Sequence, residues 1–222
     1  MDILVKLPSR GRPKELIKAL TGAIAKASDN FHISYVLTLD DNDRATNNEA
    51  FDKVIAKIPA KIQVIRGKST GKIHAVNRDM SRIARPWDIL VLLSDDMICQ
   101  QKGWDEILRN EMQENYPDLD GVLWHNDGFT EQRLNTLCIL GRKYFERFNY
   151  IYHPAYVSLW SDNEFMEVAN KLNKQTYFPQ VLFSHQHPAN IGGHVDELYR
   201  QNDKYYIKDK ATYNKRKAQG FK

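Results

Sequence analysis

The chain reads as an α/β protein: a mostly parallel, Rossmann-like sheet flanked by helices, followed by a basic helical extension at the C-terminus. Three observations predict this. Short β-rich apolar runs alternate with helix-period segments through the first half of the chain. Each of the first four apolar runs ends in a polar loop rich in Arg, Lys and Asp. The length of 222 residues, with 42% hydrophobic side chains, is enough to bury one full core.

Ile3 to Leu7 reads as the first strand, and Pro13 opens a helix to Ala27 with Leu16, Leu20, Ala23, Ile24 and Ala27 along one side. Ile33 to Leu39 is the second strand. A helix from Ala45 to Ile58 carries Phe51, Val54, Ile55 and Ile58 and stops at Pro59. Ile62 to Ile65 is the third strand, Ser69 or Thr70 caps a helix expected to reach Ala84, and Ile89 to Leu93 is the fourth strand. Strands joined by helices pair in parallel and are covered on both faces. The second half is less regular. It predicts a helix from Trp104 to Asn115, strands from Val122 to His125 and Thr136 to Leu140, and a short helix from Arg142 to Phe148. A helix capped by Ser161 or Asp162 then reaches Leu172, and a late strand spans Phe178 to Phe183. No internal repeat, low-complexity tract or long linker appears, so a single layered domain is the economical reading.

Ile89 to Leu93 is far too short to cross a bilayer, and the N-terminal Ile3-Leu4-Val5 run meets Lys6 at once. The expectation is a cytoplasmic protein with no signal peptide and no membrane insertion. Cys99 and Cys138 lack metal-ligand spacing and read as reduced cysteines. The net charge of +4 is unevenly placed. From Leu198 to Lys222 eight basic residues face two acids, a net +6 that leaves the remainder at −2. Tyr199, Tyr205, Tyr206, Tyr213 and Phe221 interleave with those charges. Two readings stand: phosphate contacts with base stacking, or an amphipathic helix that docks its aromatics on the body and solvates its lysines.

In parallel α/β sheets ligands bind outside the carboxyl ends of the strands. Those ends are Pro8-Ser-Arg-Gly-Arg-Pro13, Asp40-Asp-Asn-Asp43, Arg66-Gly-Lys-Ser-Thr-Gly-Lys72 and Ser94-Asp-Asp96. Basic groups and carboxylates converging on one cleft suit a phosphorylated, hydroxyl-rich ligand with a metal better than an apolar one. The third loop is not a phosphate-binding loop of the NTPase type, because Ile73 follows Lys72 where Ser or Thr is required. No Gly-x-Gly-x-x-Gly follows the first strand, which removes the main support for a dinucleotide oxidoreductase.

The ordered set resembles a known family. It comprises the four strand ends, Gly71-Lys-Ile-His-Ala-Val-Asn-Arg78, Ser94-Asp-Asp-Met97 followed by Gly103-Trp104, and Leu140-Gly-Arg-Lys-Tyr-Phe-Glu-Arg-Phe148. It is similar to GT-A fold glycosyltransferases, particularly the family 2-like inverting enzymes, over roughly residues 3 to 188. The resemblance implies a GT-A-like domain at 1–190, with a nucleotide-sugar-binding half at 1–100 and an acceptor-side half at 101–190. The extension at 191–222 would pack on the same domain.

The resemblance also implies roles for individual residues. Asp95 and Asp96 match the DXD-type motif in its Ser-Asp-Asp form, with Asp96 the direct ligand of Mn²⁺ or Mg²⁺ and Asp95 facing ribose or metal-bound water. Asp41, with Asp40 beside it, matches the acid that reads the nucleobase. Lys72 matches the basic residue near base or phosphates, Pro8, Ser9 and Arg10 line the base pocket, and Asn77 matches the Asn of the family's Ala-Arg-Asn, although Val76 stands where that Arg would be. His185 or His187 is a further metal ligand, and Asp162, with Glu164 as substitute, is the general base.

The implied reaction moves a hexosyl or pentosyl group from a nucleoside-diphosphate sugar, a UDP-sugar being favoured, to an acceptor hydroxyl with inversion. A modified base of DNA, held by the basic C-terminus, is one candidate acceptor. Two alternatives stay open: a nucleotidyltransferase of similar sheet architecture, and a non-catalytic protein that binds nucleic acid or a partner.

Overall fold

The computed structural model describes residues 1–187, 192 and 197–222. Pro188 and the expected boundary between residues 190 and 191 lie outside them. Seven strands form one sheet in the order β3-β2-β1-β4-β7-β6-β8. Its parallel half is β1 (Ile3–Ser9), β2 (Ile33–Asp40), β3 (Ile62–Gly67) and β4 (Ile89–Leu92). Beyond it β7 (Ile139–Gly141) runs antiparallel to β4 and to β6 (Val122–His125), and β6 pairs in parallel with β8 (Gln175–Phe178).

The two-residue period of the strands divides two cores. Ile3, Val5 and Leu7 face one, with α1 (Pro13–Lys26), α2 (Glu49–Ile55) and α4 (Trp104–Asn115), while Leu4, Leu90 and Leu92 face the other, with α3 (Lys72–Asn77), α5 (Arg142–Glu146) and α6 (Ser161–Lys171). Trp104 anchors the first core; it is fully buried, and its indole N–H donates to the carbonyl of Ala23 at 2.9 Å.

Several boundaries differ from the sequence expectation for identifiable reasons. β1 runs on to Ser9, because Pro8 and Ser9 continue the pairing with Thr38 and Leu39. α2 starts at Glu49, where the Asn48 side chain accepts the N–H of Phe51 at 2.9 Å as an N-cap. α3 stops at Asn77 instead of reaching Ala84. The buried ammonium of Lys6 takes the Arg78 carbonyl at 3.0 Å, and Asp79 turns left-handed at φ 73°. The strand expected from Thr136 starts only at Ile139.

The late strand expected over Phe178 to Phe183 is two strands. β8 ends at Phe178, and β9 (Phe183–His185) pairs antiparallel with β5 (Met97–Cys99). Three-residue strands such as β5 carry too little periodicity to be read from sequence. α6 is preceded by Trp160 in the left-handed region at φ 65°, so Ser161 and Asp162 lie in its first turn and neither is its cap.

The basic C-terminus forms α7 (Glu197–Asp203) and α8 (Tyr206–Ala218). Asp209 of α8 is 0% exposed and accepts three backbone N–H groups, from Val157 at 3.1 Å, Ser158 at 2.8 Å and Leu159 at 2.8 Å. Arg216 grips buried Glu164 through Nη2–Oε1 and Nε–Oε2 contacts of 2.8 Å each, and Tyr156 donates to the same carboxylate at 2.6 Å. Tyr213 packs against Trp160 with ring centroids 5.2 Å apart and the planes tilted by 37°. Arg216→Leu would leave Glu164 buried without its cation. The expected cost is about 3–5 kcal/mol, read as a fall of roughly 6–20 °C in Tm; a Tm within about 2 °C of wild type would show that the pair is idle.

Candidate functional site

The strand order reverses between β1 and β4, and this switch point opens the crevice in which a parallel sheet holds its ligand. The loops after β1 and β4 are stitched together there. Ser9 Oγ donates to Asp95 at 2.5 Å, and Arg12 Nη1 pairs with the other Asp95 oxygen at 3.2 Å. Asp95 is 6% exposed; burial pushes its carboxyl pKa upward, opposed by the hydrogen bond from Ser9 and the charge of Arg12.

Asp96 looks the other way. Its carboxylate accepts from Ser94 Oγ, from the Tyr199 hydroxyl at 2.7 Å, and lies 3.5 Å from His185 Nε2. The β5–β9 pair creates this meeting, since Met97 is in register with His185 and the N–H of Gln186 donates to the Asp96 carbonyl at 2.8 Å. Burial would raise the Asp96 pKa, but His185, Ser94 and Tyr199 together hold it far below the carboxylate range. Burial would lower the His185 pKa, yet Asp127 and Asp96 raise it to about 9.

Asp127 is held by the N–H groups of Phe129 (2.9 Å) and Thr130 (2.6 Å) and by Thr136 Oγ1 at 2.7 Å, with one oxygen 3.8 Å from His185 Nδ1. The imidazole thus lies between two carboxylates. His187 packs its ring on Tyr199 with centroids 4.6 Å apart, and burial with the neighbouring His185 charge lowers its pKa.

Among the described residues no group of three or more His, Cys, Asp or Glu side chains is placed to hold a metal ion. What Asp96 and His185 offer is one carboxylate and one imidazole. That donor set suits Mn²⁺ or Mg²⁺ when phosphate oxygens of a ligand and water complete the shell.

On the β1–β3 side Arg10 Nη1 donates to Asp40 at 2.5 Å and to Asn42 at 2.7 Å. Arg78 donates to the Leu39 carbonyl at 2.5 Å and to Ser69 Oγ at 3.0 Å; a side chain at Gly67 would meet its guanidinium. Beneath it lies Lys6, whose pKa burial pushes down to about 7. Asp41 is exposed, its backbone N–H donating to Gly67 O at 3.0 Å, and Pro8 is half-buried at the rim. Asp43 has turned inward to bind Gly11 N–H at 2.8 Å and Thr46 Oγ1 at 2.7 Å.

Lys72 is exposed at the start of α3. Asp162, half-buried in the first turn of α6, accepts the N–H of Asn163 at 2.9 Å. Burial raises its pKa, and the charges that oppose this come from Lys72 first and His185 less strongly.

Two expected site residues are committed elsewhere. Asn77 Oδ1 accepts the N–H groups of Ile151 (2.9 Å) and Tyr152 (3.1 Å), and its amide donates to Tyr152 O at 2.6 Å, which pins that loop. Glu164 is taken by Arg216 and Tyr156. Conversely, sequence reasoning singled out the loop that carries Arg12 and the tail aromatics that include Tyr199 without placing either beside Asp95 or Asp96, and it missed Asp127. Asp127 follows the end of β6 and was within reach of the strand-end rule that found the others. Nothing local sets Tyr199 apart from the other tail aromatics.

No protein-family model matches the chain, and no curated protein sequence does. Solved structures do. The mannosyltransferase PcManGT from Pyrobaculum calidifontis, in complex with GDP-Man and Mn²⁺, matches with a TM-score of 0.66 at 12% identity, over 83% of this chain and 56% of that one. S. aureus TarS 1-349 in complex with UDP-GlcNAc matches with a TM-score of 0.62 at 13% identity, over 88% of this chain and 62% of that one. The same segment in complex with UDP gives 0.63 at 13%, over 86% and 62%. This chain therefore spans 56% to 62% of the length of these structures. At such identities the likeness establishes the fold, which is GT-A-like.

Proposed function

We propose that this chain, which has the GT-A-like glycosyltransferase fold, transfers a glycosyl group from a nucleoside-diphosphate sugar to an acceptor hydroxyl, with inversion at the anomeric carbon. The observation that supports the reading is the meeting of Asp96 and His185, 3.5 Å apart, beside the switch point of the sheet; Asp162, whose charged form Lys72 and His185 favour, is assigned as the base. The pair can hold the leaving diphosphate and Asp162 can receive a proton.

Residues Pro8, Ser9, Arg10, Asp40 and Asp41 take the base and ribose, with Asp41 the exposed acceptor for base N–H groups. Lys72 meets the phosphates. A Mn²⁺ or Mg²⁺ ion held by Asp96 and His185 supplies, when bound, the positive charge that the departing diphosphate requires. Asp162 takes the acceptor proton as the oxygen attacks from the face opposite the leaving group. Its upward-shifted pKa makes it a stronger base than a solvated carboxylate. A UDP-sugar is the favoured donor.

The deciding experiment is a thermal-shift panel of GDP-, UDP-, CDP- and dTDP-sugars with and without Mn²⁺. The expected outcome is stabilisation by one base class that depends on the metal; no shift with any sugar nucleotide would overturn the reading. Slow hydrolysis of the sugar nucleotide without acceptor would separate glycosyl transfer from nucleotidyl transfer.

Tyr199 now holds the Asp96 oxygen that the metal would use. Tyr199→Phe is expected to tighten Mn²⁺ binding by roughly 2–10-fold, the worth of one hydrogen bond, as read by loss of the free Mn²⁺ resonance signal. Weaker binding would show that the hydroxyl supports the site instead of competing for it.

A further inference from the structure

Asp127 follows β6, and its carboxylate serves two directions. Oδ1 accepts the N–H groups of Phe129 at 2.9 Å and Thr130 at 2.6 Å, which turn back to it because Gly128 is left-handed at φ 88°. Oδ2 accepts Thr136 Oγ1 at 2.7 Å and stands 3.8 Å from His185 Nδ1. The turn alone accounts for Oδ1. It does not account for an acidic oxygen set against an imidazole, since the side-chain oxygen of an Asn closes the same kind of turn.

The backbone fixes the imidazole as well. The His185 N–H donates to the Asp127 carbonyl at 3.0 Å and the Gln186 N–H to the Asp96 carbonyl at 2.8 Å, so the end of β9 is laced to both acids. Of the two ring nitrogens, Nδ1 faces Asp127 and Nε2 faces Asp96. Asp127 is 2% exposed and both its oxygens are engaged, so it stands behind the ring and not in the place of a ligand.

We propose that Asp127 is a positioning residue for a divalent cation: its Oδ2 attracts the Nδ1–H of His185, which sets the ring and leaves the Nε2 lone pair to a metal shared with Asp96. A neutral imidazole carries one N–H, and a carboxylate beside Nδ1 favours the proton there. A carboxylate behind a ligating histidine also makes the metal-facing nitrogen more basic. The inference rests on the reading of Asp96 and His185 as the metal pair. It adds a residue that touches neither the cation nor the donor, on a loop that the first four strand ends do not include.

The test uses the full chain and Mn²⁺, alone and with UDP or GDP, read by loss of the free Mn²⁺ resonance signal and by spin-echo modulation from a ligating nitrogen. Wild type should show that modulation, and His185→Ala should lose it. Asp127→Asn keeps an oxygen for the Phe129 and Thr130 N–H groups but turns an amide donor toward Nδ1, which favours the opposite tautomer. It should weaken Mn²⁺ binding by about 10–100-fold and diminish the nitrogen modulation. Thr136→Val, which frees Oδ2 without removing its charge, should weaken binding by roughly 2–10-fold, the worth of one hydrogen bond. Thr130→Ala removes the bond from Thr130 Oγ1 to the Leu134 carbonyl, and should lower Tm while leaving Mn²⁺ affinity unchanged. In the His185→Ala background Asp127→Asn should have no further effect, the signature of a residue that acts through the ring.

Mn²⁺ affinity that Asp127→Asn and Thr136→Val both leave unchanged would overturn the proposal and keep the metal pair standing, making Asp127 a loop residue only. An equal loss from Asp127→Asn with and without the His185 side chain would do the same. If Asp127→Asn does not fold, Thr136→Val decides alone. Wild type that binds no Mn²⁺, or binds it without a nitrogen ligand, would instead overturn the metal pair itself and the role of Asp127 with it.

Discussion

Asp96→Ala is expected to abolish metal-dependent binding of the donor and to lower transfer by about 10³-fold or more. In the proposed site the cation would meet Asp96 and His185, and His185 alone, tethered toward Asp127, offers a single nitrogen. In wild type, donor with Mn²⁺ at about 100 times its Kd should add about 2.7 kcal/mol of stability, or roughly 5–11 °C in Tm. In the variant this increment should vanish, while the metal-free protein stays folded because the sheet and both cores are untouched. A retained Mn²⁺-dependent shift would remove Asp96 from the metal site. Asp95→Asn is the contrasting control. Asp95 is pinned between Ser9 and Arg12, so its replacement should weaken the donor without erasing its metal dependence.

Asp162→Asn is expected to lower kcat by roughly 10²–10⁴-fold while the KM for the donor stays within about twofold. The amide keeps an oxygen for the Asn163 N–H, so α6 should remain intact and only the proton acceptor is lost. The pH profile supplies a second readout. Burial raises the Asp162 pKa, so the acid limb of kcat/KM should lie above the ordinary carboxylate value of about 3.9 and be absent from the Asn variant. Lys72 opposes that rise by favouring the charged form, and Lys72→Met should therefore move the limb to higher pH. A donor KM that collapses together with kcat would make Asp162 a binding residue.

The contrast between these two aspartates and the pair Asn77 and Glu164 marks how far the sequence was legible. All four sat in motif positions that the resemblance assigned to the site. Asp96 meets His185 and Asp162 stands in the first turn of α6, whereas Asn77 ties down the 151–152 loop and Glu164 anchors the C-terminal helix. Spacing along the chain gives the type of side chain and the strand end that delivers it. It does not give the partner that takes up its hydrogen-bonding capacity.

The four parallel strands, their covering helices and the polar strand ends followed from the sequence alone, because hydrophobic period and crossover geometry are local properties that leave few topologies. Only the tertiary structure decided that His185 meets Asp96, that Asp127 backs His185, that Tyr199 bonds Asp96 and that Asp209 clamps the tail to the body. Each of these joins residues distant along the chain through pairing too short to leave a period, as in β5 and β9, or through one buried charge whose partners lie on another element. Such contacts arise from packing, and packing is specified by the whole chain at once.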